Sequence, residues 1–429
     1  MADIVHVVGA GLAGLAAAVR LAQAGRRVHL HEAARQAGGR CRSYADATLG
    51  LTIDNGNHLL LSGNRAALAY CRDIGAGNAL HGPEEASFPF IDLKTGARWT
   101  LRPNAGRVPW WVFSPGRRVP GSRARDYLAP AALLASPRDR PIGEAMTCSG
   151  PLYDRLWGPI LLAGLNTPPA GGSTRLAAAL MRETLLAGGA ACRPLVATGG
   201  LSAAFVDPAL RLLAAHDGEV RLGRRLRQLR MSGDVVEALV FSGETVELGR
   251  SDAVVLAVPS GVAVELVPGL IAPTEFHAIV NAHFKVTPPA GTPLFTGVVN
   301  ATTEWVFSFE DRLSVTVSGA DRLLDVARDA LAQAIWAEVA AVVGLDSALP
   351  AWQIVAEKRA TFAATPEQNA RRPGATTRWR NLMLAGDWTQ TGLPATIEGA
   401  IRSGDRAAAL ALAAKPTSRA ATGTRIPTP

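Results

Sequence analysis

Gly9, Gly11 and Gly14 stand at G-x-G-x-x-G spacing, and an acid, Glu32, closes the stretch IVHVVGAGLAGLAAAVRLAQAGRRVHLHE. That combination suits the grip of a dinucleotide. Gly9 permits a tight turn, Gly11 lets a pyrophosphate approach the backbone, and Gly14 lets a helix pack closely on a strand. Leu12 and Ala13 open that helix, whose free N–H groups face the phosphates. Glu32, followed by Ala33, is placed to accept hydrogen bonds from ribose hydroxyls. A second cluster is DNGNHLLLSGN, residues 54–64, in which Asp54, Asn57 and His58 precede three leucines. His58 suits acid–base work near neutral pH, with Asn57 or Asp54 to orient it. The same residues equally suit an Asx-rich turn that hydrogen-bonds its own backbone.

The elements that must position these groups follow from periodicity. Residues 4–8 are an apolar run of strand type, an alanine-rich helix follows to about residue 24, and Gly25 closes it. Val28, Leu30 and Glu32 then alternate as a second strand. Further on, the pattern predicts a helix over 201–215, a strand at 220–222, a three-strand meander beginning near Leu226, and a buried strand within 253–258. Near the end, 382–384 reads as a buried strand and Gly386 with Asp387 as a turn. Pro394 and Ala395 open a last helix. The chain is therefore expected to be α/β, with a discontinuous dinucleotide-binding domain over 1–75, 190–262 and 375–413.

The intervening segments, 76–189 and 263–374, form the expected α+β substrate domain. Apolar runs at 278–286, 294–299, 305–309 and 313–317 predict an antiparallel sheet, and 321–343 reads as an amphipathic helix. No second G-x-G-x-x-G exists, so reducing equivalents are expected from an external donor, NAD(P)H or a reductase. Residues 415–429 are polar and rich in Pro and Thr, a composition expected to be disordered.

Composition narrows the classes. The 429 residues are 48% apolar and 19% charged, which excludes global disorder. No apolar run is long enough to span a bilayer. The start, MADIVHVVGAG, reads as a strand and not as a secretory leader. Four cysteines without a CxxC pair read as reduced cytosolic thiols, with no metal site. The net charge is +8, yet no basic helix with interleaved aromatics appears, so nucleic acid is not an expected partner. One basic segment stands apart: LRPNAGRVPWWVFSPGRRVPGSRAR, residues 101–125, sets Trp110, Trp111 and Phe113 among six arginines. It reads either as contact with the inner face of a membrane or as an aromatic plug with arginines on its solvent side.

Beyond Glu32, the doublet Gly38-Gly39 followed by Arg40 resembles the extended fingerprint of the FAD-dependent amine oxidase and phytoene desaturase superfamily. The resemblance implies FAD, with the two glycines close to the pyrophosphate and Arg40 neutralising it. It also implies that the backbone at Leu226 meets the adenine and that Asp387 bonds the ribityl–phosphate region. Backbone N–H groups at Thr396 and Ile397 would face the pyrimidine edge of the flavin, favouring negative charge there. The fold implied is of the two-dinucleotide-binding FAD type.

DNGNHLLLSGN (54–64), LWGPILLAGLNTPP (156–169), GGLSAAFVDPA (199–209), WVFSF (305–309) and AGDWTQTGLPATIEGAIRSG (385–404) together resemble the hydroxysqualene dehydroxylase family of hopanoid biosynthesis. The implied reaction replaces an allylic hydroxyl of an isoprenoid by hydride from reduced FAD, giving squalene. That chemistry needs a dry apolar chamber and a proton donor. His58 is the candidate acid and Leu59 a candidate chamber wall. Trp157 and Trp305 are candidates to stabilise a cation. Asn57, Asn166 and Thr167 are candidates to line the chamber, Asn166 and Thr167 reading equally as a capped turn. Lys285 invites comparison with a flavin-facing lysine but reads as an exposed strand residue. HFKVTPP (283–289) departs from the expected apolar strand. The alternatives are a carotenoid or phytoene-type desaturase and another amine oxidase-like oxidoreductase. A lipid escort protein would be expected to have lost the glycine fingerprint.

Overall fold

The strand Ile4–Val8 is apolar and buried, and it occupies the centre of a five-stranded sheet. Arg27–His31 pairs with it on one side and Ala253–Leu256 on the other, all parallel. Glu219–Arg221 and Leu382–Leu384 complete the edges, also in parallel. Parallel strands need crossover connections and covering layers on both faces. The helices Leu12–Gln23 and Ile397–Ala413 cover one face. On the other, Phe241 of an antiparallel meander (Leu226–Ser232, Val235–Phe241, Glu244–Glu247) meets the His31 ring at 4.7 Å. The computed structural model describes residues 4–414, so the tail expectation at 415–429 lies outside the described residues.

A second, seven-stranded sheet is built from Trp352–Phe362, Phe276–Lys285, Arg312–Val317, Trp305–Ser308, Phe295–Val299, Phe88–Asp92 and Arg98–Leu101, in that spatial order. It is antiparallel except where Phe295–Val299 pairs in parallel with Phe88–Asp92. The sheet is thus mixed, where the alternating runs alone had suggested an antiparallel one. The parallel pair joins strands from two separate stretches of chain, which local periodicity does not reveal. One face packs on the helix Arg328–Val343 through Trp336, Phe284 and Ile335. Phe90, Phe295, Trp305 and Phe307 of the opposite face share an apolar cluster with Leu256 and Leu384 of the five-stranded sheet.

Two helix boundaries differ from the periodic reading. The helix expected over 321–343 begins at Arg328. Asp321 is drawn out of helical register because its carboxylate binds Nδ1 of His277 at 2.7 Å and the Ala278 N–H at 3.1 Å. The stretch read as one helix over 201–215 is a π turn, Ser202–Val206, running into Asp207–Ala215. Ser202 explains the irregularity: its hydroxyl accepts from the Ser43 N–H and its own N–H donates to Ser43 Oγ, tying that turn to a distant strand.

Candidate active site

The glycine turn is open on one side only. A Cβ on Gly14 would sit 1.8 Å from the Gly9 carbonyl oxygen, and one on Gly9 would strike Ala257. A Cβ on Gly11 meets no atom within 4 Å. Gly11 caps the helix Leu12–Gln23 with no side-chain hydrogen bond, and no acid stands in its first turn. The free N–H groups and the helix dipole therefore face unfilled space, as an anion site requires. The Gly38-Gly39 turn closes against the same spot. Gly38 donates to the Ala10 carbonyl at 2.8 Å, and a Cβ on Gly39 would lie 3.2 Å from Gly11 Cα. Glu32 accepts from the N–H groups of Ala10 at 2.7 Å and Ala34 at 2.8 Å. A carboxylate has about four lone-pair sites, so two remain for ribose hydroxyls.

The three separated segments converge here. Arg40 donates to Asp387 Oδ2 at 2.7 Å and also to the Ala360 carbonyl, joining the second glycine turn to the late segment. Gly386, at φ +148°, gives its N–H to Ser403 Oγ. Trp388 reaches the Val258 carbonyl with its indole N–H at 2.9 Å, which ties the middle segment to the late one. Leu226 is buried and opens the meander opposite Phe241. The last helix begins at Ile397, two residues later than Pro394 and Ala395 suggested, because the Thr396 hydroxyl caps it by accepting from Gly399 at 3.0 Å.

Residues directly opposite one another in a sheet point to the same face. Asn281, Thr316, Trp305, Gly297, Phe90 and Trp99 are thereby aligned across the second sheet. Beside them run His283, Ser314, Phe307 and Phe295. Each row is polar at one end and aromatic, apart from Gly297, at the other. The polar end meets residues 54–58: Asn57 Nδ2 donates to the Val315 carbonyl and Thr316 Oγ1 at 3.2 Å, and approaches Asn281 Oδ1 at 3.4 Å. At the aromatic end Trp305 lies 5.6 Å from Phe90, and Phe90 stacks on Trp99. Trp157 belongs to the same apolar cluster and Leu59 packs on it.

Not every candidate converges. Asp54 does not orient His58. It is buried, accepts from Ser43 Oγ at 2.5 Å and from the Leu201 N–H at 2.9 Å, and so fastens the π turn. Asn57 makes no bond to His58 either. The one hydrogen-bonding contact of the His58 ring among the described residues is with the Cys41 thiol, 4.0 Å from Nε2. Burial first, and the Arg40 charge second, lower the His58 pKa to about 4. Asn166 is a cap: it holds φ +48°, ends the helix Gly158–Leu165, donates to Thr361 Oγ1 and accepts from Gly319. Thr167 likewise accepts from Ala364 at 2.8 Å. Lys285 is exposed and donates to the Leu49 carbonyl. Two surface hollows, beside Trp352 and beside Arg72, are lined by none of the cradle or sheet-face residues.

Two residues escaped the sequence reading. His283 is buried, sits at 2.8 Å from Ser314 Oγ, and has its pKa lowered to about 4, first by burial and then by Arg312. The signal was present in HFKVTPP, a polar residue where an apolar one was expected. Arg372 is buried and donates to the carbonyls of Leu393, Asp387 and Thr389. It organises the loop before the last helix, and nothing in ARRPG distinguishes it from an ordinary turn arginine.

The model of flavin containing amine oxidoreductases matches residues 12–412. A protein named hydroxysqualene dehydroxylase from Rhodopseudomonas palustris is 59% identical over 96% of this chain and 99% of its own length. One of the same name from Sinorhizobium fredii is 54% identical over 95% of this chain and 98% of its own. The chain belongs to the hydroxysqualene dehydroxylase family. This family lies within the flavin containing amine oxidoreductases, and FAD is the cofactor. Solved structures agree on the fold alone. Cyclohexylamine oxidase from Brevibacterium oxydans superposes with a TM-score of 0.69 at 17% identity, covering 96% of this chain and 99% of that one. Putrescine oxidase bound to putrescine gives 0.67 at 20% identity with the same coverage. The open face of Gly11, the uncapped helix end and the spare lone pairs of Glu32 fit a dinucleotide such as FAD.

Proposed function

We propose that this protein carries out the reductive dehydroxylation of hydroxysqualene to squalene in hopanoid biosynthesis. When bound and reduced, FAD supplies the hydride that replaces the hydroxyl. The C–O bond breaks, the oxygen leaves as water with one proton, and the electron pair lost with oxygen is restored by that hydride. The residues that would hold FAD are Gly9, Gly11, Leu12, Ala13, Gly14, Glu32, Ala33, Gly38, Gly39, Arg40, Leu226, Gly386, Asp387, Pro394, Ala395, Thr396 and Ile397. An external donor, NAD(P)H or a reductase, returns the electrons.

The observation that carries this reading is the divided face of the second sheet, together with the 59% identical relative of that name. A hydrocarbon chain needs an apolar, water-excluding wall, which Leu59, Trp157, Trp305 and Phe295 supply. Aromatic π-faces stabilise positive charge that develops as the hydroxyl departs. The polar end, with Asn57, Asn281 and Thr316, suits the hydroxyl itself. Burial and then the Arg40 charge favour the neutral imidazole of His58 as a hydrogen-bonding group beside that end. The protein works in the cytoplasm, peripherally at the inner membrane face. No helix among the described residues is long and apolar enough to cross a membrane.

The test is anaerobic incubation of the dithionite-reduced protein with hydroxysqualene, following flavin absorbance and product mass. Reoxidation with stoichiometric squalene is the expected result. A product with new conjugated double bonds, or no reoxidation, overturns the proposal.

A further inference from the structure

Of the five most exposed large apolar side chains among the described residues, four fall between positions 108 and 128. Val108 is 75% exposed, Phe113 74%, Leu128 69% and Trp110 50%. The local helix type explains why they point outward. Trp110–Phe113 is a 3₁₀ turn, in which residues i and i+3 eclipse, so Trp110 and Phe113 share one outer face. Trp111 and Val112 between them are buried. The segment is held firmly in that pose. Asn104 donates to the carbonyls of Gly106 and Val108 at 3.0 Å each and accepts from the Trp111 N–H. Tyr127 Oη accepts from Val119 at 2.9 Å. These apolar tips are therefore presented by a built scaffold.

Charge surrounds them. Arg102, Arg107, Arg123 and Arg125 are exposed, Arg117 and Arg118 are half-buried, and the Arg117 guanidinium lies 4.9 Å above the Trp110 ring. The one acid of the stretch, Asp126, is engaged by the Arg123 N–H at 2.8 Å. Apolar tips ringed by guanidinium groups complement anionic headgroups over acyl chains. From this face an aromatic path leads inward. Trp111 packs edge-on against Tyr127 at 5.1 Å, and Tyr127 against Trp157 at 6.0 Å. Trp157 shares its apolar cluster with Trp305.

We propose that residues 101–128 dock onto an anionic lipid bilayer, and that the hydrophobic substrate passes from the bilayer to the sheet face along Trp111, Tyr127 and Trp157. The docking half stands on this surface alone; the access half rests on the function proposed above.

The test uses the full-length holoprotein and three variants: W110S/F113S, R107Q/R123Q/R125Q and, for the inner path, Tyr127→Ala. Co-sedimentation is measured with phosphatidylcholine vesicles with and without phosphatidylglycerol. FAD content and circular dichroism confirm folding. The expected result is salt-sensitive binding of wild type to the anionic vesicles, reduced at least about tenfold in the first two variants. Turnover of hydroxysqualene in those two should be normal from detergent micelles and lost from vesicles, and Tyr127→Ala should bind vesicles yet lose turnover from them. No wild-type binding, equal binding by the surface variants, or binding indifferent to anionic lipid overturns docking. Loss of vesicle binding with vesicle turnover intact overturns the access path, as does full vesicle turnover by Tyr127→Ala. Absence of turnover by wild type even from micelles, with vesicle binding intact, overturns the function while docking stands.

Discussion

Arg40 and Asp387 are separated by 347 positions and meet at 2.7 Å. Asp387 is nearly buried, whereas the Arg40 side chain is 44% exposed, so the pair contributes modestly to stability. Its weight lies in position: the guanidinium also reaches the Ala360 carbonyl, so three stretches of chain meet at one group. Asp387→Ala is expected to lower FAD affinity by roughly tenfold or more, the loss typical of a charged hydrogen bond. The melting temperature of the apoprotein should shift by only a few degrees. Flavin absorbance after dialysis against graded FAD measures the first, and calorimetry of the apoprotein the second. Unchanged affinity would remove Asp387 from the cofactor site.

The glycines separate fold from binding. Gly11 has a φ of −73° and open space at its Cβ position, so Gly11→Val should fold with nearly native circular dichroism and yet be colourless. Gly14→Val places atoms inside the Gly9 carbonyl and should fail to accumulate as folded protein. A yellow Gly11→Val would show that no pyrophosphate lies over that turn.

The strand–turn–helix part of the cradle is legible in the sequence because its logic is local. Gly9, Gly11, Gly14 and Glu32 lie within one strand–turn–helix–strand unit, where spacing fixes geometry. The late segment was legible for the same reason, through Leu382–Leu384 and the turn at Asp387. What escaped was set by partners distant in sequence. At residues 54–58 the partners of Asp54 are Ser43 and Leu201, and those of Asn57 lie on the strand carrying Val315 and Thr316, none of them near in sequence. The parallel pairing of Phe295–Val299 with Phe88–Asp92, and the bonds of the Arg372 side chain to Asp387, Thr389, Thr391 and Leu393, are likewise facts with no local signature.

Asn166 tests the cap reading. It occupies the left-handed region and makes bonds to Thr361, His277 and Gly319. Asn166→Ala adds backbone strain to lost bonds and should destabilise by about 2–4 kcal/mol. Asn166→Gly relieves the strain alone and should recover about 1 kcal/mol of that. Turnover per bound FAD should be unchanged in both. A lowered turnover with stability intact would return Asn166 to the chamber wall.

Acid should unfold the protein steeply, and the sign follows from its buried imidazoles. Burial lowers the pKa of His6, His58 and His283 from 6.5 to about 4, and that of His31 to about 3. The unfolded chain protonates them near 6.5 while the native state resists. Their stabilisation is complete above pH 6.5 and is lost as pH falls toward 4 and then 3, by up to about 1.4 kcal/mol per pH unit for each. Glu304, raised by burial to about 7, contributes in the opposite sense, losing stability as pH rises from 4.5 through 7. Urea midpoints at saturating FAD should therefore fall sharply between pH 6 and 4. His6→Leu/His31→Leu should flatten that fall, and an unchanged slope would mean that these two rings do not stay neutral in the fold.

Trp305 and Trp336 offer a matched comparison across one sheet. Trp305 stands opposite Thr316 on the face that carries Asn281 and Phe90, and Trp336 packs on Phe284 behind the sheet. Both are buried, so replacing either by leucine should cost about 1–3 kcal/mol of stability. Only Trp305 offers a π-face to charge developing on the substrate, an interaction worth about 0.5–2 kcal/mol. Trp305→Leu should therefore lower kcat per bound FAD by about 2- to 30-fold with KM nearly constant, because the interaction exists only as the hydroxyl leaves. Trp305→Phe should recover most of that loss, and Trp336→Leu should leave kcat untouched. If the two leucine variants lose kcat equally, the loss reflects a loosened sheet, and Trp305 has no electrostatic part in the reaction.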